Sequence, residues 1–137
     1  MKVRHVFTHA DRCRLGCLLS SGDAFAAASR RLLDELEWNL EESKAVRPEL
    51  IPEDVVTMNS TVRLVSTSSN RELVCTVVYP DDVELMDDGI SVLAPLGTRL
   101  IGCEVNDVVE CATPTDDGPW RVVEIVYQPE RAGAFHL

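Results

Sequence analysis

Apolar and polar positions follow two different rhythms along this chain, one near 3.6 residues in the first third and one of two residues afterwards. Residues 1–8, with Val3, Val6 and Phe7, read as a short extended arm. Leu15, Leu18 and Leu19 then give an apolar face to a helix expected over residues 11–19, with Asp11 as its N-cap. Ser20-Ser21-Gly22-Asp23 interrupts it. Phe25, Ala28, Leu32, Leu33, Leu36 and Leu40 recur at steps of three and four, which predicts a second helix over residues 24–45 capped by Asp23. Two helices joined by a short polar tip predict an antiparallel hairpin. At 1.5 Å per residue the first helix reaches only about 15 Å, so the hairpin is short.

Pro48 and Pro52 bracket a linker over residues 47–53, and the rhythm changes there. Residues 55–58, 61–65 and 72–79 read as strands, separated by turns at residues 59–60 and 66–70. An acidic loop over residues 81–89 leads to a strand over residues 90–93. Pro95 then suits a first helical turn, Leu96, Leu100 and Ile101 recur at helical spacing, and Gly102 ends the helix. Val105-Asn106-Asp107 reads as a turn and residues 108–112 as a strand. In the last strand, residues 120–127, Val122, Glu124 and Val126 are expected on one side and Val123, Ile125 and Tyr127 on the other. The pattern predicts an α+β chain: a helical hairpin over residues 1–48, then an antiparallel sheet wrapping one short helix over residues 49–137.

The run S-V-L-A-P-L-G-T-R-L-I-G from Ser91, followed by V-N-D-V-V-E from Val105, resembles the C-terminal domain of the Gre transcript-cleavage factors of bacterial RNA polymerase. Asp54-Val55-Val56-Thr57-Met58-Asn59-Ser60 and Val126-Tyr127-Gln128-Pro129-Glu130 narrow the resemblance to the shorter Rnk group, the regulators of nucleoside diphosphate kinase. Asn106 stands where the Gre pattern has Gly, and Asn also tolerates a left-handed backbone. The resemblance implies that residues 49–137 share the fold of FK506-binding prolyl isomerases. It also implies a globular domain that binds the rim of the polymerase secondary channel while the hairpin points inward.

Composition narrows the possibilities further. An apolar share of 45% is enough for a core. No run of about 18 apolar residues exists to span a membrane, and the N-terminus lacks the apolar stretch of a secretory signal. Five cysteines without such a signal fit reduced thiols, so a cytoplasmic, monomeric protein is expected. Residues 1–48 carry eight Lys/Arg and seven Asp/Glu, whereas residues 49–137 carry five and sixteen. So acidic a C-terminal unit repels phosphate backbones, which argues against direct nucleic-acid binding. Most of these carboxylates serve solubility, and facing a basic partner surface is the alternative that composition leaves open.

Catalytic chemistry finds no foothold. His5, His9, Cys13 and Cys17 fall at intervals of four, but together they would span about 18 Å on a helix, too far for one ion. Cys13 and Cys17 are expected half-buried in the hairpin seam, and Cys75, Cys103 and Cys111 as core filler. No nucleophile–base set, phosphate loop, cofactor site or metal site is expected. The resemblance implies paired acids at the hairpin tip for metal-assisted RNA cleavage, yet this tip offers Asp23 alone. The residues expected to meet a partner are Asp23, the run Thr57, Met58, Asn59 and Ser60 on an exposed turn, Arg99 on the short helix, and Asp81 and Asp82 in the acidic loop. The expected function is a non-enzymatic transcription regulator that binds RNA polymerase and competes with Gre factors. The alternatives are direct modulation of nucleoside diphosphate kinase and, more weakly, a prolyl isomerase or chaperone-like module.

Overall fold

The computed structural model describes residues 6–20, 30–85, 87–111, 119–129 and 131. Strand β1 (Val6–Thr8) leads directly into helix α1 (His9–Ser20). The Thr8 hydroxyl accepts the Asp11 N–H at 3.0 Å, so Thr8 caps the helix and Asp11 stands one turn inside it. Asp11 is therefore not the N-cap that its residue type promises. Helix α2 (Arg30–Glu41) buries Leu33, Leu36 and Leu40 on one face. The expected second helix is shorter at its C-terminal end, because Lys44–Val46 form strand β2, which pairs in parallel with β1. Residues 21–29, including the tip and Asp23, lie outside the described residues.

Beyond a 3-10 turn at Pro48–Leu50, the chain builds a five-stranded sheet of spatial order β5-β4-β3-β7-β6. Its strands are β3 (Thr61–Ser66), β4 (Glu72–Val78), β5 (Gly89–Ser91), β6 (Val108–Val109) and β7 (Trp120–Tyr127). All neighbours are antiparallel except β4 and β5, which a 3-10 segment at Pro80–Leu85 connects. Strand β3 follows the period of two throughout, with Val62, Leu64 and Ser66 buried. Strand β6 is shorter than the strand expected there.

Strand β7 departs from simple alternation. Its buried residues are Trp120, Val122 and Ile125, so the inward face changes parity after Val122. The register explains this: Leu64 pairs with Val122 and Arg63 with Glu124, leaving Val123 as an extra residue. Thr61 pairs with Tyr127 and Val62 with Ile125, leaving Val126 as a second. Two bulges of this kind bend and twist a strand, and here they curl the long β7 along β3. Val122 and Ile125 consequently share the core, against the two-faced division read from alternation.

Helix α3 (Pro95–Leu100) lies against the sheet and buries Leu96 and Leu100. Pro95 occupies its first turn, and Gly102 follows it with φ 83, as the sequence predicts. The Thr98 hydroxyl donates to the Val92 carbonyl at 2.6 Å, tying the helix to the strand before it. One continuous apolar core runs from Phe7, Leu15, Leu33 and Leu36 through Val56, Met58 and Leu100 to Trp120 and Ile125. The hairpin and sheet thus bury their apolar faces against each other.

Candidate docking surface

What positions the hairpin on the sheet is a set of polar bridges around that shared core. The first runs through the turn at residues 57–60. Its third residue, Asn59, has φ 66, a backbone that Asn tolerates and most residues resist. The Ser60 N–H donates to the Thr57 carbonyl at 3.0 Å, and the two hydroxyls lie 2.7 Å apart. The Met58 N–H donates to the Asp11 carboxylate at 3.1 Å, joining α1 to the turn. A second bridge is the Arg99 guanidinium on α3, which donates to both carboxylate oxygens of Glu35 on α2 at 3.2 and 3.4 Å. The third places the Arg14 guanidinium over the Tyr79 ring, 4.7 Å from its centre. Burial pushes the Tyr79 phenol well above its ordinary value, the Asp11 charge adds to that, and Arg14 opposes it.

The residues expected to meet a partner are distributed differently from the expectation. Thr57, Met58 and Ser60 are buried, and only Asn59 is partly open to solvent. The exposure expected of this run is corrected by tertiary packing: Met58 fills the core, and the hydroxyls brace the turn. Arg99 is half-buried in its ion pair, and no signal in the sequence marked Glu35 as its partner. Asp81 is exposed and Asp82 partly so, both in the 3-10 segment beside Tyr79. Asp23 lies outside the described residues, as does His5. Cys13 and Cys17 are exposed rather than half-buried, because both sit on the side of α1 turned away from the core. Cys75, Cys103 and Cys111 are buried.

Several motifs that look like interaction signatures prove to be packing devices. The Gln128 side-chain amide is buried and donates to the carbonyls of Pro52 and Val55, at 2.8 Å each, closing the end of β7 onto the linker. The Trp120 indole N–H donates to the Cys111 carbonyl at 3.1 Å. Gly97 sits against the backbone of Ser91 and Val92 with no room for a side chain. Among the described residues no cluster of three or more His, Cys, Asp or Glu side chains is arranged to hold a metal ion. None of the described helices is long and apolar enough to cross a membrane.

The family described as "Transcription elongation factor, GreA/GreB, C-term" matches residues 51–127, more than half of the chain. The chain belongs to the GreA/GreB family. The "Regulator of nucleoside diphosphate kinase" of Escherichia coli strain K12 is 36% identical over 113 residues, 82% of this chain and 83% of that protein. "Transcription elongation factor GreA" of Syntrophus aciditrophicus is 30% identical over 97 residues, 71% of this chain and 60% of that protein. A solved structure described as "Prokaryotic transcription elongation factor GreA/GreB from Nitrosomonas europaea" is 38% identical. It superposes with a TM-score of 0.77, covering 92% of this chain and all of that one. The matched span runs from Ile51 to Tyr127, from just before the buried turn at residues 57–60 to the end of β7. These relatives are named regulators and transcription factors.

Proposed function

We propose that this Gre-like transcription factor binds RNA polymerase at the rim of the secondary channel, with the α1–α2 hairpin directed inward, and does not itself cleave RNA. The observation that carries this reading is 36% identity with the regulator of nucleoside diphosphate kinase across 82% of the chain. The rigid attachment of the hairpin supports it, because a probe held by core packing and polar bridges enters a channel with a defined direction. The absence of cleavage rests on chemistry. Two-metal hydrolysis needs several hard oxygen ligands close to the ion, and the tip sequence Ser20-Ser21-Gly22-Asp23 offers one carboxylate. Helix α1, with 12 residues, also reaches only about 18 Å.

The contacts we propose for this docking are Arg99, Asp81, Asp82 and Asn59 on the globular side, with Asp23 at the tip. Thr57, Met58 and Ser60 act from beneath by holding the turn in shape. A cytoplasmic monomer is the matching state. The test is a backtracked polymerase complex with Mg²⁺, this protein, and a Gre factor added with or without it. The protein alone leaves the RNA intact and, as its concentration rises, blunts Gre-stimulated cleavage. RNA shortening by the protein alone overturns the cleavage-silent part of the reading, and failure to compete overturns the docking part.

A second reading has its own support in the name of the relative, a regulator of nucleoside diphosphate kinase. Direct modulation of that kinase predicts a changed phosphotransfer rate when the two purified proteins are mixed without polymerase. An unchanged rate rejects it.

A further inference from the structure

The outer face of α2 combines an exposed tryptophan with carboxylates that form no ion pair among the described residues. Trp38 is 56% exposed and points directly away from the buried side of the helix, where Leu33, Leu36 and Leu40 lie. Among the described residues no hydrogen bond or ring contact uses its indole, whereas the second tryptophan, Trp120, is fully buried. Glu37, Glu41 and Glu42 stand within about one turn of it, all exposed and none in an ion pair among the described residues. Of the other nearby charges, Asp34 pairs with Arg30 and Glu35 with Arg99, while Arg12 of α1 lines the same groove as Glu37 and Glu41 without an ion pair to either among the described residues. Lys44, just beyond the helix, makes no ion pair with the three glutamates.

This arrangement works against the stability of the helix itself. Glu37 and Glu41 are like charges at i,i+4, which destabilise a helix by a few tenths of a kcal/mol. Glu41 and Glu42 sit at the C-terminal end, where the helix dipole favours cations and disfavours carboxylates. No basic residue occupies the last turn of α2. An open groove of about 250 Å³ between α1 and α2 lies beside this face, lined by Glu37 and Glu41 and by Arg12 of α1, with Leu19 and Leu40 supplying an apolar floor. Gly16 keeps it open on the α1 side, since no atom lies within 4 Å of where its Cβ would be.

We propose that this face binds an arginine- or lysine-bearing protein surface, with Trp38 as the anchor. The inference rests on the polymerase-docking reading and adds to it a second contact along the flank of the hairpin. A cationic side chain over the indole gains cation–π attraction, and its charge relieves the repulsion among Glu37, Glu41 and Glu42. Tryptophan and arginine are enriched among the few residues that carry most of the binding energy at protein surfaces.

The test measures binding of the full chain to RNA polymerase core enzyme as a function of salt. Trp38→Ala weakens binding about tenfold or more while circular dichroism and the denaturation midpoint stay unchanged, because the indole supports no part of the fold. The triple variant Glu37→Gln, Glu41→Gln, Glu42→Gln weakens binding, flattens its salt dependence, and raises the melting temperature of the free protein. This opposite movement of affinity and stability is one that a purely structural role cannot produce. Wild-type affinity in both variants overturns this inference and leaves the docking reading standing. No binding by the wild-type protein overturns both.

Discussion

Gly97 and Gly16 are both helical glycines, yet their surroundings assign them opposite roles. A Cβ on Gly97 would overlap the Ser91 carbonyl oxygen and lie 2.9 Å from its carbon and 3.1 Å from the Val92 Cα. All three atoms are backbone, so nothing can rotate aside. Gly97→Ala is expected to cost about 3 kcal/mol, at the upper end for overpacking, and to lower the urea midpoint accordingly. Gly16→Ala meets open space in a helix interior and is expected to add about 0.5–1 kcal/mol. Equal effects from the two substitutions would show that helix propensity, not contact with Ser91, governs both. Cys75 carries a different kind of residue-level constraint. Burial, with a smaller contribution from the Asp88 charge, pushes its thiol from 9.0 up to about 12. An unfolded chain therefore releases this proton from about pH 9 while the folded chain holds it, so stability falls as pH rises from about 9 to 12. Tyr79, raised from 10.0 chiefly by burial, acts with the same sign in the alkaline range. Denaturation midpoints taken at pH 7, 9 and 10.5 should fall, and Cys75→Ala should fall less steeply. An identical slope in the variant would remove Cys75 as a cause.

At the scale of elements, the join between α1 and the turn at residues 57–60 depends on one buried carboxylate. Asp11 is 1% exposed and accepts the Met58 N–H across 47 residues of sequence. Asp11→Ala leaves that N–H buried without its acceptor and is expected to cost about 1–3 kcal/mol. Thr8→Ala removes only the helix cap and should cost about 1 kcal/mol. Urea denaturation of the two variants checks the order, and a larger loss for Thr8→Ala would put the cap above the bridge. The same join shows what the sequence could convey. Elements with local causes were legible: Pro95 and Gly102 frame α3, Asn106 has the φ of 80 its turn requires, and β3 alternates as written. Asp11 was recognisable as belonging to a helix start, but Thr8, an equally suitable cap three residues earlier, takes the role. The burial of Thr57, Met58 and Ser60 was not legible, because it depends on α1, whose Asp11 lies 47 residues from Met58. Nor were the two bulges in β7, since Val123 and Val126 are extra only relative to the register of β3. For the candidate surface, the sequence named Arg99 but not Glu35, and it passed over Trp38, whose exposure depends on which face of α2 meets the sheet.

For the whole molecule, the continuous core makes a thermodynamic claim. Leu15, Leu33 and Leu36 from the hairpin belong to the same buried cluster as Leu64, Leu100 and Trp120 from the sheet and α3. Separating the two parts would expose both sides of that cluster to water, at about 25 cal/mol for each Å² of apolar surface. It would also break the Asp11–Met58 and Glu35–Arg99 bridges. The second of these is half-exposed and adds only about 0–1 kcal/mol, so core packing supplies most of the coupling. Hairpin and sheet are therefore expected to unfold together. Far-UV circular dichroism reports mainly on the helices, whereas fluorescence of Trp120, in a Trp38→Phe background, reports on the sheet. Coincident urea transitions from the two probes are the expected result. A helix signal lost at lower urea than the Trp120 signal would mean that the hairpin opens independently. It would also weaken the argument that the hairpin is presented to its partner in one fixed direction, because a loosely attached hairpin would lose conformational entropy each time it docked.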